Sequence, residues 1–256
     1  MAVVSLMRWE KSIVGAGLLG ICGLAWLYLA RMADQMAYHA AMGMAYPLSN
    51  SWNAGNLLMT FLMWAVMMVA MMVPSAAPMI LTFAAIHRQR TGSGKLSAPP
   101  WIFLSGYLAL WTLFSAAATL AQWGLHSAAL FSPVKMTVGP AIGGGLFVLA
   151  GLYQWTPLKN RCLSHCASPL DFLLTSWREG RWGAFVMGLH HGTYCVGCCA
   201  FLMMLLFVGG VMNLLWVAAL GSLVLIEKLV NSSRIVPQVF GVVFVLTGIA
   251  MFVSSL

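Results

Sequence analysis

The stretch Met187-Gly-Leu-His-His-Gly-Thr-Tyr-Cys-Val-Gly-Cys-Cys199 lies inside an apolar run, about residues 183–209, that reads as a membrane-spanning helix. It gathers two of the chain's six histidines and three of its six cysteines. Unpartnered polar groups are costly in hydrocarbon, so packing alone does not account for imidazoles and thiols at this density. A bound soft or borderline metal is the leading explanation. Thiol redox chemistry and a tight helix contact built on small residues are the other two.

The rest of the chain has the same character. Of its 256 residues 61% are hydrophobic and 7% charged, against about a quarter charged in a soluble domain. The apolar segments are continuous runs near helix-span length, which excludes an alternating β-barrel pattern. The expected fold is therefore all-α: a single polytopic transmembrane bundle over residues 1–256. About seven spans can be drawn, near 12–31, 54–86, 101–123, 138–158, 183–209, 211–230 and 237–256. Ser12 to Ala30 is long enough to span, and Arg31-Met-Ala-Asp is a poor cleavage site, so the first run reads as a retained span.

The net charge of +8 is spread over segment ends and forms no basic stripe, which argues against nucleic acid. With the N-terminus inside and seven crossings, only Arg31 and Lys135 of the thirteen Lys and Arg residues fall outside. That asymmetry predicts a cytoplasmic N-terminus and a periplasmic C-terminus in a bacterial inner membrane.

Span two carries Met59, Met63, Met67 and Met71 at intervals of four, with Met68 and Met72 beside them, and then Pro74 and Pro78. Methionine fills irregular helix contacts well, and thioethers are also soft ligands for Cu(I). Met71 and Met72 are the thioether candidates. The prolines predict a kink or break within the membrane. In the outer connection 33–53, Asp34, Met36, His39, Met42 and Met44 read as an ordinary surface segment, with metal collection as the lesser reading. Thr91 to Pro100 reads as a flexible linker.

The inner connection, residues 159–182, opens with Cys162 and Cys166 separated by three residues, with His165 beside them. Ser168, Pro169 and Asp171 then fit the start of a short amphipathic helix at the inner surface. That helix is expected to run to about Glu179 and to gather Leu170, Leu173, Leu174 and Trp177 on one side.

Within span five, His191, Cys195 and Cys198 or Cys199 recur at helical spacing and share a face. His190 points about 100 degrees away and is assigned a supporting hydrogen bond, together with Tyr194 and Glu227. At about 1.5 Å per residue, His191 lies roughly 12 Å and Cys195 roughly 18 Å from the inner edge of the span. The expectation is a mid-membrane site at His191, Cys195, Cys198 and Cys199, with a second site at Cys162, His165 and Cys166. Glu227-Lys228 reads as a self-paired interfacial dipeptide. Thiolate, imidazole and thioether fit copper(I) best and zinc next. Heme ranks lower, because no Cys-x-x-Cys-His sequence is present.

Several stretches together resemble the bacterial predicted metal-binding integral membrane proteins. They are Met67-Met-Val-Ala-Met-Met-Val-Pro-Ser-Ala-Ala-Pro-Met79, Tyr153-Gln-Trp-Thr-Pro-Leu-Lys-Asn-Arg-Cys-Leu-Ser-His-Cys166, Gly188 to Cys199, Phe207 to Asn213, and Glu227-Lys228. The resemblance covers spans two to six and implies metal binding. The function expected is binding, transfer or delivery of copper in the lipid bilayer, with subunits of a larger membrane complex as candidate partners. A membrane oxidoreductase and a structural or assembly subunit are the alternatives.

Overall fold

The apolar runs fold as helices. A computed structural model describes residues 2–42, 52–91, 100–132, 136–230 and 235–254. Met44, the linker residues 92–99, Lys135 and Arg234 lie outside the described residues, as does the side chain of His39. The elements in order are α1 (Ala2–Ala41), α2 (Ala54–Thr91), α3 (Pro100–Ser127), the hairpin of β1 (Phe131–Ser132) and β2 (Thr137–Val138), α4 (Pro140–Gln154), α5 (Pro157–Ala167), α6 (Pro169–Ser176), α7 (Gly180–Met204), α8 (Leu206–Gly209), α9 (Leu214–Leu229) and α10 (Ile235–Val253).

Among the described residues, five helical segments are long and apolar enough to cross a membrane: Ser12–Tyr38, Ala54–Arg88, Pro100–Ser127, Gly180–Gly209 and Ile235–Val253. The fourth and sixth expected spans appear as α4, with 15 residues, and α9, with 16. At 1.5 Å per residue they reach about 22 and 24 Å, short of the roughly 30 Å hydrocarbon core.

Pro74 and Pro78 do not break α2, which is continuous through both. Packing from neighbouring helices and local side-chain hydrogen bonds let a membrane helix carry proline. Here the Ser75 hydroxyl donates to the Met72 carbonyl at 2.9 Å, and Thr82 donates to the Pro78 carbonyl at 2.7 Å. The methionine column of α2 lies mostly in the core: Met63, Met67, Met68, Met71 and Met72 are buried, and Met59 is exposed.

What appeared to be one inner connection is two helices. Thr156 caps α5 by accepting from the Lys159 backbone N–H, with Pro157 in the first turn. α6 stops at Ser176, three residues earlier than expected, because the chain turns extended at Trp177. That turn stacks the Trp177 ring on Phe83 and His87, with the Arg90 guanidinium 4.7 Å from its ring centre. The buried side of α6 is Phe172 and Leu173, while Leu170 and Leu174 are exposed and Trp177 lies just past the helix end.

Small residues set the closest helix pairs. Gly144 and Gly151 of α4 lie on the backbone of α10 at Gly248 and Gly241, and Gly106 of α3 faces Gly188 of α7 in the same manner. A buried ion pair ties the short helices together. Lys159 Nζ of α5 lies 2.8 Å from Glu227 Oε2 of α9, and Gln154 Nε2 of α4 donates to Glu227 Oε1 at 2.9 Å. The Glu227-Lys228 dipeptide is therefore not self-paired, because neighbouring side chains on a helix point apart.

Removing one partner leaves an uncompensated buried charge. Lys159→Met is expected to destabilise by about 3–5 kcal/mol, and Lys159→Met with Glu227→Leu by much less. Thermal unfolding of the two purified variants checks this; equal losses would refute it.

Candidate metal centre

Helical spacing brings the α7 residues to one face, and α5 supplies a fourth thiol. Cys195, Cys198 and Cys199 are buried at 0%, 1% and 1% exposure. Cys198 Sγ lies 3.2 Å from Cys199 Sγ and also donates to the Cys195 carbonyl at 3.2 Å. Cys166 of α5 is buried as well, and its thiol is in hydrogen-bonding contact with those of Cys195 and Cys198. The bond with Cys195, and then burial, hold the Cys166 thiol up at about 12, against the opposing contact with Cys198.

Cys166 thus lies with the α7 thiols, where the sequence groups it with Cys162 and His165. α5 packs along α7, with Cys162 on Gly197 and His165 on Tyr194, so Cys166 reaches the α7 thiols. Cys162 and His165 do not join them. Cys162 is half-buried with its thiol pushed up by burial, and the His165 ring stacks on Tyr194 at 4.6 Å. The other face of this group is His190, exposed, 4.9 Å from the Tyr194 ring and 5.6 Å from Phe172.

His191 sits one turn before Cys195 and is 1% exposed. Its ring is enclosed by Tyr107 at 5.4 Å, Phe172 at 5.6 Å and Phe103 at 6.1 Å. Among the described residues neither ring nitrogen has a hydrogen-bond partner. Two unsatisfied buried nitrogens are unusual enough to call for a ligand or a water.

Three groups at the cluster were not singled out from sequence. The Tyr107 hydroxyl of α3 lies 3.1 Å from Cys195 Sγ and donates to the Met72 carbonyl at 3.2 Å. Lys228 Nζ of α9 donates to Cys195 Sγ at 3.1 Å and to Ser75 Oγ at 2.7 Å. Lys228 had a signal, since an intramembrane lysine is a functional candidate by default; assigning it to Glu227 concealed it. Tyr107 and Ser75 had none.

The thioethers stand apart. Met71 packs over Gly221 of α9, two turns above Lys228, and Met72 meets the cluster through its carbonyl. Met187 accepts the backbone N–H of Arg178 on its sulfur. Glu227 is held by Lys159 and Gln154.

Cys195 is level with Lys228, in the last turn of α9. Among the described residues no three His, Cys, Asp or Glu side chains are spread around a common point as ligands. The thiols touch one another instead.

Comparison with curated proteins and with solved structures gave no match. The model of a family described as "PpoB2: Copper chaperone" matches residues 61–251, which takes in all four clustered thiols, His191, Tyr107 and Lys228. The chain belongs to that copper-chaperone family.

Proposed function

We propose that this chain is an integral membrane protein that binds Cu(I) at Cys166, Cys195, Cys198 and Cys199, with His191 at the margin, and passes the ion on. The observation that carries the reading is the contact of four buried thiols beside an imidazole with two unpartnered nitrogens. Thiols and imidazole are soft to borderline donors that suit Cu(I), and Cu(I) needs only two or three of them. A spare thiol beside a bound ion is what transfer requires: the incoming sulfur bonds before the outgoing sulfur leaves, so the ion is never bare.

The fit needs a small adjustment. Metal–sulfur bonds of about 2.3 Å put tetrahedral sulfurs about 3.8 Å apart, and a two-coordinate pair wider still. Cys198 and Cys199 are at 3.2 Å and must separate by half an ångström or more. Each thiol that binds gives up its proton. Cys162 and His165, one turn along α5, lie on the flank of the cluster and form the approach to it.

The distribution of basic residues supports a cytoplasmic N-terminus, seven crossings or partial crossings, and a bacterial inner membrane. In that arrangement α4 and α9 are the short members, and the thiols lie towards the cytoplasmic side.

X-ray absorption at the copper edge, on full-length protein loaded anaerobically with Cu(I), tests the assignment. Two or three sulfurs in the first shell are expected. A shell of nitrogen and oxygen alone would sink it.

A further inference from the structure

Copper binding by thiols makes no use of a buried ammonium, yet Lys228 places one against them. Its Nζ lies 3.1 Å from Cys195 Sγ and 2.7 Å from Ser75 Oγ, and the residue is 6% exposed. Among the described residues no carboxylate pairs with it. The adjacent Glu227 is turned to Lys159 at 2.8 Å and to Gln154 at 2.9 Å, and the remaining polar neighbours, Tyr107 and Ser75, are hydroxyls. A buried charge without an opposite charge is costly, so its compensation comes from sulfur.

We propose that Lys228 determines the charge of the ion the site accepts, admitting monovalent soft cations such as Cu(I) and Ag(I) and disfavouring divalent ones such as Zn(II) and Cd(II). This rests on the reading of the four cysteines as copper-binding thiols. A coordinating thiol is deprotonated outright. Cu(I) on two thiolates carries one net negative charge, which the ammonium neutralises. On the same two thiolates a divalent ion leaves no net negative charge, so the ammonium stays uncompensated and repels the ion with twice the force it exerts on a monovalent one. Burial leaves that difference poorly screened. The thiols do not make this distinction themselves, because sites of cysteine and histidine bind zinc well.

The test is anaerobic competition on the full chain in detergent, with Ag(I) and Cd(II) as the probes. Wild type is expected to bind Ag(I) and to keep it against excess Cd(II). Lys228→Met is expected to raise Cd(II) affinity relative to Ag(I) by about tenfold or more, and Lys228→Arg to retain the wild-type ratio. A merely structural role would weaken both ions together and leave the ratio unchanged, which overturns the proposal. Free exchange of Ag(I) for Cd(II) in wild type overturns it without any variant. A wild type that takes neither ion sinks the copper-site reading itself, an outcome distinct from a lost preference.

Discussion

Serine at both Cys195 and Cys198 is expected to lower bound Cu(I) by about tenfold or more relative to wild type, with helical content unchanged. The pair matters more than the number of thiols removed. Cys166 contacts the thiols of Cys195 and Cys198, and Cys199 is joined to the group through those same two residues. Taking both away halves the thiols of the cluster and removes the two through which Cys166 and Cys199 are joined. Cys162→Ser with His165→Ala removes as many donors from the flank and should leave copper content close to wild type. Copper per chain after anaerobic loading, measured by mass spectrometry, separates the two variants. Unchanged stoichiometry in the first would end the assignment.

That contrast also marks how far the sequence could be read. The i, i+4 spacing of His191 and Cys195 on α7 is local, and the structure keeps both on one buried face. The arrival of Cys166 is not local. It depends on α5 starting at Thr156-Pro157, a good cap signal that lies inside the run 138–158 expected to be one span. The apolar composition from residue 138 to 158 suits a full span, and composition does not reveal that the helix stops at Gln154. Lys228 shows the same limit. Its partners Ser75 and Cys195 lie 153 and 33 residues away, and the spacing of Glu227 and Lys228 suggested a pairing that helix geometry forbids.

The other large effect comes from Gly188, although its side chain is a hydrogen. A Cβ at this position would fall inside the backbone carbonyl of Phe103, and a Cβ at Gly106 would meet the carbonyl of Phe185. The α3 and α7 backbones are in direct contact there, so relief requires the helices to part. Tyr107 is the next residue after Gly106, and its hydroxyl reaches Cys195 on α7 at 3.1 Å. Parting by an ångström would take that contact beyond hydrogen-bond range. Gly188→Val should therefore destabilise by about 3 kcal/mol or more, at the upper end of overpacking effects, and should reduce Cu(I) binding as well. Gly23→Ala is the control. Nothing lies within 4 Å of its Cβ position, and alanine in place of glycine gains up to about 1 kcal/mol in a helix interior. Unfolding temperature and copper content measured on both variants test the argument. If Gly188→Val matched the control in both, close approach of α3 and α7 would not be what places Tyr107 against Cys195.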